Sequence, residues 1–178
     1  TYYVDGREIA FANYAEIVKQ LPALKKKYIY ARDFARADLP ELFGQSAWAE
    51  ATVFEIQSMQ SMLLQQGSDG SFRSTALPES LQWSSIHAIQ QVAGDATTTR
   101  FLVGGNFLNA NIELGWYDAG RLGVLAIDTS GEMRVTYPAN APSGQVRNME
   151  AIGLVNAESA YLVAFNNDSL RLFRQIVD

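Results

Sequence analysis

Residues Ile86 to Pro138 read IHAIQQVAGDATTTRFLVGGNFLNANIELGWYDAGRLGVLAIDTSGEMRVTYP, and this stretch decides the fold. Ser85 to Val92 sets Ile86, Ala88 and Ile89 against His87 and Gln90, a strand pattern. Arg100 to Gly104 carries the apolar run Phe101-Leu102-Val103. A loop rich in Asn and Gly follows from Gly105 to Gly120. Leu122 to Ile127 and Met133 to Tyr137 then face each other across Asp128-Thr129-Ser130-Gly131, a hairpin turn. Four short strands in sequence, each beside the next, predict a four-stranded antiparallel sheet of the kind that forms one blade of a β-propeller.

Both flanks look like partial copies. Gly70-Ser71-Phe72-Arg73 recurs as Gly131-Glu132-Met133-Arg134, 61 positions on, behind the matching strands Met62-Leu63-Leu64 and Val124-Leu125. Pro78 recurs as Pro138. Phe101-Leu102-Val103-Gly104-Gly105-Asn106 recurs as Tyr161-Leu162-Val163-Ala164-Phe165-Asn166, 60 positions on. Two matches sharing one period of about 60 residues predict repeated blades that bury each other's faces. The expected architecture is therefore mainly β: a partial β-propeller with a helical insertion. It is divided into a partial blade over 1–84, a complete blade over 85–138 and three closing strands over 145–178, from Met149 to Val155, Ala160 to Phe165 and Leu170 to Val177. The Pro/Ser/Gly stretch 139–144 is the linker.

The N-terminal third departs from this pattern. Tyr2-Tyr3-Val4 and Glu8-Ile9-Ala10 flank Asp5-Gly6, a strong two-residue hairpin signal. Asn13 with Glu16, and Asp38 with Pro40 and Glu41, are helix starts. Ile17, Val18, Leu21, Leu24, Tyr28 and Phe34 follow helical spacing with a break near Tyr30, and Ser46 to Glu50 reads as a further turn. Residues 13–50 are thus a helical insertion. From Thr52 the period returns to two, and Val53, Phe54 and Ile56 predict a strand ahead of Ser61 to Gln66. The chain opens on Thr1-Tyr2-Tyr3-Val4 as if inside a strand, so we expect a segment of a longer propeller whose N-terminal part supplies the missing outer strand.

Composition narrows the chemistry. Hydrophobic residues make up 48% and charged residues 19%, an ordinary globular balance. The net charge of −5 gives no basic field for nucleic acid. Lys25-Lys26-Lys27 reads as a solvated helix face. No apolar run approaches the roughly 18 residues a membrane span needs. Without cysteine there is no thiolate nucleophile, disulfide or Cys-based zinc site. His87 is the only histidine, and no catalytic set forms around it. We expect no catalytic residues.

Several segments resemble a known group. Leu24-Lys25-Lys26-Lys27-Tyr28, Ala37-Asp38-Leu39-Pro40-Glu41-Leu42-Phe43, Gly105-Asn106, Glu113-Leu114-Gly115-Trp116-Tyr117-Asp118-Ala119 and Asn166-Asn167-Asp168-Ser169-Leu170 occur in the order of the C-terminal part of the FG-GAP/VCBS-repeat proteins of Bacteroidetes, related to CRTAC-type proteins with an ASPIC/UnbV domain. The resemblance implies an integrin-α-like propeller, exported to the cell envelope or outer-membrane surface, without established catalysis. An outer-membrane transporter or a surface lipoprotein is the partner it implies. The family's calcium loop is degenerate here. Ala93-Gly94-Asp95-Ala96-Thr97-Thr98-Thr99 keeps one carboxylate, and Asn156-Ala157-Glu158-Ser159 is no better, whereas calcium needs six or more oxygens. No calcium is expected in these blades, and no other cofactor.

Two surfaces are candidates for recognition. The helical insertion is the expected docking element for another protein, with Tyr28, Tyr30 and Trp48 as anchors. The loop 106–118 offers Asn106, Glu113, Trp116, Tyr117 and Asp118, the amides, carboxylates and rings that a sugar or peptide contact uses, and Asn167 and Asp168 share its rim. Trp116 and Tyr117 equally suit packing between blades, with the Asn and Asp residues shaping turns. A non-enzymatic interaction module is the first expectation, and a carbohydrate- or ligand-binding module the alternative.

Overall fold

The computed structural model describes residues 1–155 and 159–174. The protein is mainly β, with antiparallel sheets, and divides into two compact units, Thr1–Gln57 and Ser58–Asp178.

In the first unit, β1 (Tyr2–Val4) and β2 (Arg7–Ile9) form the hairpin expected around Asp5-Gly6. Both turn residues have positive φ, 49° and 76°, which suits the right-handed twist of the strands. Five short helices follow: α1 (Tyr14–Gln20), α2 (Leu24–Lys27), α3 (Ala31–Ala35), α4 (Leu39–Phe43) and α5 (Gln45–Ala49). The two helix starts legible in the sequence are real. Asn13 and Asp38 each accept the N–H three residues on, and Glu16 and Glu41 reach back to close both capping boxes. Helices this short are not stable by propensity. They are held by a shared core of Ile17, Val18, Leu24, Tyr28, Phe34, Ala37, Leu39 and Leu42. Arg7 pairs with Asp38 at 3.2 Å and Glu41 at 2.9 Å, tying the hairpin to α4.

One expectation fails here. Val53, Phe54 and Ile56 form no strand. The segment 51–60 has no regular structure, and Phe54 is 91% exposed. Its sequence suits a strand, but a strand exists only through a neighbour's hydrogen bonds, and none is present among the described residues.

The second unit begins with the hairpin β3 (Met62–Gln66) and β4 (Phe72–Ala76), followed by a 3₁₀ turn over Glu79–Leu81. A four-stranded antiparallel meander comes next: β5 (Ile86–Val92), β6 (Thr98–Gly105), β7 (Gly123–Asp128) and β8 (Met133–Thr136), as Ile86 to Pro138 predicted. A three-stranded sheet of β9 (Val146–Gly153), β10 (Ser159–Phe165) and β11 (Arg171–Arg174) closes the unit, in order β9-β10-β11. β9 starts earlier than expected, directly after the linker. The tail of the last predicted strand, 175–177, and most of the second calcium-type loop, 156–158, lie outside the described residues.

The internal repeat is present in the register. Gln66 pairs with Phe72 in the first hairpin, and Ile127 pairs with Met133 in the second, each 61 positions on. Gly67 N–H donates to Ser71 O as Asp128 N–H donates to Glu132 O, and Gly70 and Gly131 both take positive φ. Ile86 faces Gly105 and Ala88 faces Gly104, leaving His87 as a bulge. Sixty positions on, Val146 faces Phe165 and Asn148 faces Ala164, leaving Arg147 as the same bulge.

The sheets stack in layers. One face of the four-stranded sheet presents Ala88, Val92, Leu102 and Val124 to Val146, Met149, Tyr161, Val163 and Phe165 of the three-stranded sheet. The opposite face packs Val103 and Leu125 against Leu81, with Leu77, Met133 and Val135 at the margin. Gly104 is required between the first pair of layers, because a Cβ there would lie 2.8 Å from a Val146 methyl and 2.9 Å from the Met149 methyl.

Candidate functional site

The loop from Asn106 to Asp118 rises from the end of β6, and a buried clamp fixes its root. Asn106 is 1% exposed and adopts φ +77°. Its amide donates to Gly120 O at 2.9 Å and Gly144 O at 3.0 Å, and its Oδ1 accepts from Gly120 N at 2.8 Å. Its backbone N–H donates to Ser85 O at 2.9 Å. Asn suits this post because its amide both donates and accepts and its backbone tolerates the left-handed region. The structure therefore places Asn106 inside the protein, as the loop's anchor.

Above the clamp, Phe107 and Tyr117 exchange backbone hydrogen bonds at 2.9 and 3.0 Å. The Ser84 hydroxyl donates to Tyr117 O at 2.8 Å. Asn111 shapes the tip by accepting from Glu113 N at 3.3 Å. The tip is thus closed by its own backbone while its side chains stand free. Glu113, Tyr117 and Asp118 are exposed, Trp116 is 70% exposed, and Ile112 is 93% exposed. Leu114 and, beside Ser84, Trp83 are also exposed. Ile112, Leu114 and Trp83 are not among the recognition candidates of the sequence, because nothing local shows whether an isolated apolar residue in a loop is buried. His87, the bulge residue, is exposed, its ring 6.3 Å from that of Phe107.

The second candidate loop sits at the repeat-equivalent place. Asn166 donates its N–H to Gln145 O at 2.8 Å and its amide to Gln145 Oε1 at 3.0 Å. Consecutive residues, Gly144 and Gln145, therefore hold the roots of both loops, which share one edge of the unit. Gln145 Nε2 is buried and has no hydrogen-bond partner among the described residues. Asn167 takes φ +56° at the turn. Asp168 accepts from Ser169 N and pairs with Arg171 at 2.9 Å, and the Ser169 N–H holds its carboxyl below the usual range.

Three further carboxylates serve turns. Asp69, Asp95 and Asp128 each accept the backbone N–H and the hydroxyl of the residue two positions on: Ser71, Thr97 and Ser130. That hydroxyl is the main reason each acid is lowered from its ordinary value. Asp95, the one carboxylate of the segment 93–99, also lies 3.8 Å from Arg100. Among the described residues, no three His, Asp or Glu side chains gather as a metal site.

The docking residues of the first unit separate. Tyr28 is in the core, its hydroxyl donating to Glu41 O at 3.1 Å and its ring edge-on to Phe34. Trp48 is half-buried against that core. Tyr30 is exposed, with the Arg32 guanidinium 5.4 Å over its ring. Lys27 caps α4 through the Glu41 carbonyl.

Neither a family model, nor a curated protein, nor a solved structure matches this chain.

Proposed function

We propose that this protein is part of an FG-GAP/VCBS-type β-propeller of the bacterial cell envelope that works as a non-enzymatic interaction module, docking another protein through loop 107–117. One observation carries the reading. Ile112, Leu114, Trp116, Tyr117 and Trp83 stand exposed around a loop whose root is locked by Asn106. Exposed apolar clusters on a rigid base are what protein contacts use, because the water they release is gained without the cost of ordering the loop. The repeated 60-residue geometry and the stacked four- and three-stranded sheets support a propeller-type scaffold. The resemblance of the chain to envelope proteins supports an outer-membrane transporter or surface lipoprotein as the partner.

A second reading has its own support. Trp116 and Tyr117 lie in a loop that also carries Glu113 and Asp118, and rings beside carboxylates can stack on and hydrogen-bond a sugar. One experiment separates the two. Native cross-linking in source cells, with wild type and Trp116→Ala compared, should give one stoichiometric envelope protein that the variant loses. Saturable glycan binding lost on the same substitution would replace the first reading with the second. A partner retained by the variant would overturn the assignment of the loop.

A further inference from the structure

Residues 25–36 read Lys-Lys-Lys-Tyr-Ile-Tyr-Ala-Arg-Asp-Phe-Ala-Arg. They hold five cations and one acid, a net charge of +4, in a protein whose net charge is −5. The remainder of the chain therefore carries −9, so charge is strongly segregated. The segment runs through α2, the turn at Ile29-Tyr30 and α3, all within the first unit. Leu24, Tyr28 and Phe34 turn into that unit's core, which leaves Lys25, Lys26, Ile29, Tyr30, Arg32 and Arg36 in solvent.

Most acids of the first unit are already engaged. Asp38 and Glu41 pair with Arg7, Glu16 closes the α1 capping box, and Asp33 lies 3.4 Å from Arg32. Glu8 above all, and Glu55 more weakly, act on Tyr3 of the hairpin and hold its hydroxyl above the ordinary value. Lys27 donates to the Glu41 carbonyl. Lys25, Lys26 and Arg36 have no side-chain partner among the described residues. Set among these cations are Ile29, 77% exposed, and Tyr30, 61% exposed, with the Arg32 guanidinium over its ring.

We propose that residues 25–36 dock on a bilayer surface bearing anionic phospholipid headgroups. Lys25, Lys26 and Arg36 meet the phosphates, and Ile29 and Tyr30 enter the interface, where an apolar body with a polar tip is favoured. The local charge decides the contact, because at physiological salt charges more than about 8 Å away are largely screened. Cations alone would suit any polyanion. An isoleucine and a tyrosine set among them suit a surface with charge at its rim and hydrocarbon just below. The proposal concerns the first unit by itself and holds whichever partner loop 107–117 takes.

Vesicle binding tests it on the whole chain. Vesicles of phosphatidylcholine and phosphatidylglycerol in equal parts should carry the protein down on sedimentation at low salt, and vesicles of phosphatidylcholine alone should not. Each cation near an anionic surface strengthens binding by about fivefold, so Lys25→Glu/Lys26→Glu should weaken it by at least roughly 30-fold. Both lysines are exposed and unpaired, so the double variant should keep the wild-type circular dichroism. Ile29→Ser leaves the charge unchanged and should still weaken binding several-fold. No binding to the mixed vesicles, or undiminished binding of the folded double variant, would overturn the proposal. Loss on Trp116→Ala instead would place the contact on loop 107–117 and would also overturn it. Capture on immobilised polyglutamate as strong as on the vesicles, with Ile29→Ser without effect on either, would identify an acidic protein as the occupant and overturn the bilayer.

Discussion

Asn106→Ala tests the central structural claim, that one buried amide fixes the root of the loop. The substitution removes three side-chain hydrogen bonds, to Gly120 N, Gly120 O and Gly144 O. Each is worth about 0.5–1.5 kcal/mol net, and buried partners left unpaired push the cost toward the upper end. A φ of +77° adds strain for alanine, in a region that costs an ordinary L-residue roughly 1–2 kcal/mol. The expected loss is about 3–5 kcal/mol, a large part of the ~5–15 kcal/mol that stabilises a typical domain. Asn106→Gly makes the same bonds impossible without the strain, so it should be about 1 kcal/mol better than alanine. Asn106→Asp should be at least as damaging as alanine, because it turns a donor into an anion facing two carbonyls. Urea unfolding, followed by circular dichroism and by fluorescence of Trp83 and Trp116, measures all three. At a slope of roughly 1.5 kcal/mol per molar, the alanine variant should lose about 2–3 M in midpoint. An alanine variant within about 1 kcal/mol of wild type would refute the clamp.

Other consequences follow from single features. Gly105→Ala should prevent the second unit from folding, because its Cβ would lie 1.7 Å from Ser85 O, which is backbone and cannot move aside; recovery of native-like circular dichroism would contradict this. Gly131→Ala meets no atom within 4 Å and has only φ +87° against it, so urea unfolding should show stability falling by only about 1 kcal/mol. The turn acids Asp69, Asp95 and Asp128 are lowered in the folded state, chiefly by Ser71, Thr97 and Ser130. The unfolded chain therefore binds more protons, and stability should be full above the ordinary carboxylate range near ~3.9 and fall as pH drops through the folded values. The Asp→Asn triple variant keeps an accepting oxygen in each turn and should show a flatter urea midpoint between pH 2 and 5; an unchanged slope would show that other groups set it. Trp116→Ala, at an exposed site, should change stability by less than about 0.5 kcal/mol, and a larger loss would mean the ring packs against the unit.

The sequence determined the local structure and the repeat. Asp5-Gly6 and Asp128 to Gly131 carry their own turns, and Asn13 and Asp38 cap their helices with a glutamate three residues on. The offsets of 60 and 61 residues specify the register that the repeated strands share. These are short-range effects: backbone preference, side chain to backbone hydrogen bonds and alternation all act within a few residues. Tertiary structure decided what each polar or aromatic group is for. Asn106 and Asn109 look alike in the sequence, yet Asn106 is buried with Gly120 and Gly144 within reach while Asn109 is exposed. Tyr28 and Tyr30 are two residues apart, and the core formed by Phe34 and Leu42 takes the first and leaves the second in solvent. Thr52 to Gln57 has the composition of a strand and is not one, because its missing hydrogen bonds belong to a neighbour. Burial and pairing are properties of segments brought together from far apart in the chain, and no local pattern specifies which segments meet.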